Sequence, residues 1–129
     1  MRAILTPQDM LKGEPIPPGW YPAEIVKYEE TVTKGTQDKP SDGSMNAVFY
    51  FKILDGEKKG TELRRYFNEK ALGFGKNLWA LLFKFDKKNG GELTSEMFAS
   101  TVGQKMLVYI KKGTNNYDSI EDWRPIPTA

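Results

Sequence analysis

The sequence predicts an all-β domain of five antiparallel strands with one capping helix. Residues 47–54 and 61–68 divide their side chains between two faces with a period of two and are rich in aromatic and β-branched residues, around a polar break with two glycines. Further strand-like stretches follow Gly19 and Val102. Between them, residues 69–85 shift to helical spacing.

Residues 1–18 read as an extended lead-in. Pro15, Pro17 and Pro18 forbid a helix running into the first strand, although Thr6-Pro7 offers a start for one short turn. That strand spans Gly19 to Glu30. Tyr21, Ala23 and Ile25 alternate with Pro22, Glu24 and Val26, and Trp20 and Tyr28 share the parity of the second set. Thr31 to Ser44 is a polar loop carrying Lys34 and Lys39. Loops of this length in a small domain are often functional.

The central hairpin organises the rest. Ala47, Phe49, Phe51 and Ile53 form an apolar face opposite Val48, Tyr50 and Lys52. After the turn Asp55–Gly60, Leu63 and Phe67 share a face opposite Glu62, Arg64, Tyr66 and Asn68. Arg65 shares the parity of Leu63 and Phe67, so either a bulge intervenes or Arg65 sits at the mouth of a barrel.

In the helical stretch, Phe74, Leu78, Leu81, Leu82 and Phe85 make one apolar stripe, with Trp79 flanking it in the core. Lys87-Lys88-Asn89-Gly90-Gly91 is the expected stop. A second helical turn is expected over Leu93 to Ser100, capped by Thr94 or Ser95, with Met97 and Phe98 buried. Val102–Lys112 and Tyr117–Arg124 are the fourth and fifth strands, joined by a turn at 113–116. Residues 125–129 form a short tail, and Trp20 and Trp123 are expected to cover the ends of a barrel.

A chain of 129 residues is one ordinary domain with enough material for a core. It has no cysteine and no histidine, which removes disulfides, Cys/His zinc sites, thiol nucleophiles and histidine general bases. The net charge of +2 does not by itself indicate a polyanionic partner, but residues 52–76 hold seven Lys/Arg against four Asp/Glu. The N-terminus lacks an apolar core of signal-peptide length, so a cytoplasmic protein with no membrane partner is expected.

Five antiparallel strands with a helix between the third and fourth is the element order of the OB-fold. This small Greek-key barrel binds oligonucleotides on its second and third strands and through the loops after strands one and four. The hairpin's outward face mixes rings and cations. Tyr50, Tyr66 and Tyr28 offer stacking surfaces, with Trp20 as a weaker fourth better suited to covering a barrel end, and Lys52, Arg64, Lys34, Lys111 and Lys112 offer phosphate contacts. Replacing Tyr50 and Tyr66 by alanine is expected to weaken oligonucleotide binding while leaving the melting temperature little changed.

Other chemistry is poorly supplied. Gly73-Phe74-Gly75-Lys76 fails as a phosphate loop, because Lys70 stands where a glycine is needed and Asn77 where Ser or Thr is needed. Glu29-Glu30 and Glu121-Asp122 are adjacent in strands and point to opposite faces, so neither pair can jointly hold a metal. Asp38 and Asp42 share a loop and offer at most a weak cation site.

The chain also resembles short phage-encoded proteins, often left as a domain of unknown function, that are grouped with single-stranded DNA-binding proteins of OB-fold type. The likeness covers Pro18 to about Pro125. It rests on Pro18-Gly19-Trp20-Tyr21-Pro22-Ala23 with Ile25, on Phe49-Tyr50-Phe51-Lys52-Ile53-Leu54-Asp55-Gly56, and on Lys59-Gly60. Gly75-Lys76 with Leu78 and Val102-Gly103-Gln104 complete it. The resemblance implies a non-enzymatic, sequence-tolerant binder that protects single-stranded DNA in phage replication or recombination, in the cytoplasm of an infected host. No cofactor or metal is expected. Replication or recombination proteins and further copies of the chain are the other candidate partners. The ending Asp122-Trp123-Arg124-Pro125-Ile126-Pro127-Thr128-Ala129 departs from the acidic tail by which bacterial proteins of this function recruit partners. Two rival expectations stand beside it: a protein-interaction module of the same fold in a replication or virion complex, and a metal-dependent nuclease, against which the lack of a convergent carboxylate cluster in the sequence argues.

Overall fold

The strands are β1 (Trp20–Val32), β2 (Met45–Ile53), β3 (Glu62–Asn68), β4 (Lys105–Lys112) and β5 (Asp118–Arg124). A 3-10 turn (Leu72–Gly75) leads into helix α1 (Lys76–Phe83), and a short helix α2 (Ser95–Ala99) precedes β4. These come from a computed structural model that describes residues 19–35, 37–38, 40–85, 91–112 and 118–126. The expected lead-in, the Lys87–Gly90 part of the helix stop and the turn at 113–116 lie outside the described residues.

The strands form one antiparallel sheet in the order β3-β2-β1-β4-β5. β1 is the shared strand. Its first residues, Trp20 to Glu24, pair with β4, and Ala23 to Val32 pair with β2. The bulge between Ile25 and Lys27 falls just after this overlap, where β1 leaves β4.

The sheet is open. Its free edges, β3 and β5, face each other across a seam spanned by side chains. Arg65 Nε donates to the Ile120 carbonyl at 3.1 Å, Lys58 Nζ pairs with Asp118 at 2.7 Å, and the Phe67 and Trp123 rings lie 5.6 Å apart. The β2–β3 register runs unbroken from Asn46↔Asn68 to Lys52↔Glu62. No bulge therefore turns Arg65 outward. It lies over the Phe67 ring at 4.7 Å and reaches into the seam.

Aromatic packing holds the inner face. Phe49 is fully buried, and its ring meets those of Tyr28, Phe51, Phe67, Trp79 and Phe98 at 5.1 to 6.4 Å. Burying each such ring contributes roughly 1.5–3 kcal/mol. Trp79 enters this cluster from α1, with its indole N–H donating to the Leu72 carbonyl at 2.7 Å. Trp123 is a core residue too, packed on Phe51 and Phe67.

The helix is shorter than its apolar stripe. Lys84 adopts a left-handed conformation (φ 58°) and ends α1 at Phe83, ahead of the expected glycine stop. At the other end the stripe loses Phe74, which is 77% exposed. The cause is its neighbour. Gly75 packs so closely on Trp79 and Phe67 that an added Cβ would sit 2.7 and 2.8 Å from their rings, so the turn is pinned through Gly75 and Phe74 points away. The second helical turn forms as expected. Thr94 is its cap, with Oγ1 accepting from Met97 N at 3.2 Å, and Phe98 is buried while Met97 is half-buried.

Candidate nucleic-acid interface

Successive rungs across β3, β2 and β1 alternate between the inner and outer faces. Leu63–Phe51–Ile25 and Arg65–Phe49–Tyr28 are inner rungs, while Arg64–Tyr50–Lys27 and Tyr66–Val48–Glu29 are outer ones. A third outer rung extends over four strands as Glu62–Lys52–Glu24–Lys105, with charges of alternating sign. Tyr50, Lys52, Arg64 and Tyr66 thus share one face, and the structure adds Lys27 and Glu29 to it.

That addition comes from the Val26 bulge. An unbroken period through β1 would turn Lys27 and Glu29 inward behind Ala23 and Ile25. The bulge reverses parity, which carries both charges outward and Tyr28 inward. Tyr28 is therefore not part of the outer face expected for it. Its ring packs on Phe49 at 5.1 Å and Phe98 at 5.7 Å. Its hydroxyl donates to Glu30 at 2.9 Å, and Ser95 donates to the same carboxylate. Burial first, then the Glu30 bond and charge, push the Tyr28 phenol well above its ordinary range. Hydrogen bonds from Ser95 and Tyr28 hold Glu30 below the ordinary carboxylate range.

Tyr50 points to the expected face but is only 8% exposed. Lys27 Nζ lies 5.1 Å and the Arg64 guanidinium 5.2 Å from its ring centroid, so two cations flank the ring. Its hydroxyl donates to the Glu29 carboxylate, which also pairs with Lys27 at 3.5 Å. The Tyr50 hydrogen bond is the main cause holding Glu29 below the ordinary carboxylate range, and the same bond raises the Tyr50 phenol. Alanine at Tyr50 therefore removes a packed ring, contrary to the expectation that stability would hardly change. Tyr66 differs. It is 48% exposed.

The remaining expected cations do not join this cluster. Lys34 is exposed in the loop between β1 and β2. That loop is fastened at its base, where Asn68 Nδ2 donates to Thr33 Oγ1, Ser44 Oγ and Asn46 Oδ1 at 2.8 to 3.1 Å. Asp42 caps Ser44 N and pairs with Lys70 at 2.9 Å, contacts that hold its carboxyl far below the ordinary range. Lys111 and Lys112 are exposed at the far end of β4, opposite Ser119 and Asp118. Lys34 and the Lys111–Lys112 pair thus lie toward opposite ends of the β2–β3 hairpin.

Among the described residues, no helix is long and apolar enough to cross a membrane. No curated protein and no solved structure matches the chain. The model of one family, described as protein of unknown function (DUF669), matches residues 7–128, so the chain belongs to the DUF669 family.

Proposed function

We propose that this protein binds single-stranded DNA without catalysing a reaction, using the outer face of β1, β2 and β3, and that it shields exposed strands during phage replication or recombination. The observation that carries the reading is the pairing of adjacent outer rungs: Arg64 and Lys27 on either side of Tyr50, with an exposed Tyr66 beside them. Tyr66 offers a base a stacking platform, and Arg64, Lys27 and Lys52 offer the backbone positive charge. Glu29 acts as an internal counter-ion that an incoming phosphate displaces from Lys27 and Arg64. Within this reading the fold is an OB-type barrel left open between β3 and β5. The strand order and the facing edges support it, since such barrels are partly open.

Fluorescence anisotropy of a labelled oligothymidine, repeated at rising salt, tests the reading. Binding that weakens steeply with salt and exceeds duplex binding is expected. No binding at low salt, or a flat salt response, overturns it.

One observation favours a second reading, a protein-docking module. Phe74 is 77% exposed on a turn pinned by Gly75, and Val32 and Met45 form an exposed apolar pair at the loop end of the β1–β2 ladder. Salt-insensitive behaviour and no oligonucleotide affinity would turn attention to that end of the sheet.

A further inference from the structure

The outer face of the other half of the sheet carries its own ring-and-cation cluster. Trp20 of β1 lies opposite Tyr109 of β4, with ring centroids 5.4 Å apart and planes inclined by 55°. The Arg124 guanidinium of β5 lies 4.3 Å over the Trp20 ring. The geometry is fixed by backbone. Gly19 lets the Tyr109 ring lie against the chain, since an added Cβ would sit 2.8 Å from its Cε2, and Gly19 O accepts from Ile110 N at 2.7 Å. Both rings are half-buried, so each is seated while keeping part of its surface open.

Three cations stand around this pair: Lys105, Lys111 and Arg124. Along the outer face of β4, Lys105, Leu107, Tyr109 and Lys111 recur at every second residue, and Arg124 pairs with Leu107. Three acids are nearby. Glu24 stands between Lys52 and Lys105 in the strand register. Asp122, opposite Tyr109, accepts from Asn77 Nδ2 at 2.7 Å and from Trp123 N at 2.8 Å, so its carboxylate is drawn toward α1. Glu121 accepts from Ser119 at 2.7 Å.

We propose that Trp20, Tyr109 and Arg124 form a second stacking station for the same single-stranded DNA, so that the strand crosses the sheet from the β2–β3 hairpin to β4–β5. This rests on the function proposed above. Bases stack on the Tyr109 ring and on the outer plane of the Arg124 guanidinium, whose N–H groups also reach phosphate. The Lys52–Glu24–Lys105 rung lies between the stations. Along β1, Trp20 stands seven residues from Lys27, roughly 20 Å at strand rise. Long oligonucleotides can span both stations, and short ones occupy one at a time.

The three tryptophans give a readout specific to this site. Trp79 and Trp123 are 5% and 4% exposed, whereas Trp20 is half-buried on the outer face. The full chain is titrated with oligothymidines of about 4 and about 16 nucleotides, the range of site sizes seen for single OB folds. Intrinsic fluorescence and anisotropy are monitored together. The longer oligonucleotide is expected to quench fluorescence in the parent protein and not in Trp20→Phe. Arg124→Gln is expected to reduce the long-to-short affinity ratio about fivefold or more, with its melting temperature confirming the fold. If the long oligonucleotide binds the parent protein but fluorescence does not change and both variants keep the parent ratio, the second station is wrong and the hairpin site stands. If neither oligonucleotide binds the parent protein at low salt, the proposed function falls and this inference with it.

Discussion

The Tyr50 hydroxyl donates to the Glu29 carboxylate diagonally across the β1–β2 ladder, while Lys27 and Arg64 flank the Tyr50 ring. The acid therefore sits among the cations that would meet DNA. Glu29→Gln removes the competing charge but leaves Tyr50 an acceptor. Oligothymidine affinity should rise at low salt. The slope of log K against log salt should steepen by about 0.7 for each cation freed to contact a phosphate. Unchanged affinity in salt-titrated anisotropy would mean that Glu29 does not compete.

Tyr50 and Tyr66 should respond differently to alanine. Tyr66→Ala touches an exposed ring and should change stability by no more than about 0.5 kcal/mol. Oligonucleotide affinity should fall about 5- to 150-fold, the equivalent of losing one base stack of roughly 1–3 kcal/mol. Tyr50→Ala should lower the melting temperature clearly, because it empties a packed position and strips Glu29 of its main donor. Tyr50→Phe keeps the ring and separates the two effects. Thermal melts paired with anisotropy check all three variants.

The hydrogen-bonded acids and tyrosines bound the pH range of stability. Asp42, Glu29 and Glu30 all have carboxyls held below their ordinary range. Their stabilisation is complete above the unfolded carboxylate range, near pH 4, and is lost as pH falls from there. Tyr28 and Tyr50 are raised, so their contribution is complete below the unfolded phenol value, near pH 10, and is lost as pH rises beyond it. Urea melts across pH should show a plateau with losses on both sides. Tyr28→Phe should soften the alkaline loss.

Gly75 should be far less tolerant than the exposed phenylalanine beside it. Gly75→Ala drives a Cβ into Trp79 and Phe67 and should cost about 1–3 kcal/mol, the range of overpacked cores. Phe74→Ser should leave stability near that of the parent. Equal losses in denaturant melts would contradict the pinned turn.

The two faces of the hairpin were legible from their period of two, but alternation left the parity of Arg65 open and did not reveal that Tyr50 is buried. The β2–β3 register keeps to that pattern from Asn46 to Lys52. The first strand was not legible, because alternation cannot reveal an inserted residue. A physical signal was present nonetheless. Extending the parity of Ala23 and Ile25 would bury Lys27 and Glu29, a cost that a bulge at Val26 avoids. Weighing that conflict would have moved Tyr28 into the core and brought Lys27 and Glu29 to the candidate site. Phe74 misled for a related reason. Its spacing matched the helical stripe, but the close packing of Gly75 depends on rings that belong to other elements. Closure of a barrel was likewise beyond a pattern of strands, since it depends on how Arg65 and Lys58 occupy the seam with β5.

Backbone amide NMR of the labelled protein during oligothymidine titration asks most directly where the DNA lies. Shifts concentrated on Arg64, Tyr66, Lys27 and Glu29, fading as salt is raised, are predicted. A titration that leaves those amides unmoved, or moves only the Phe74, Val32 and Met45 end, would contradict it.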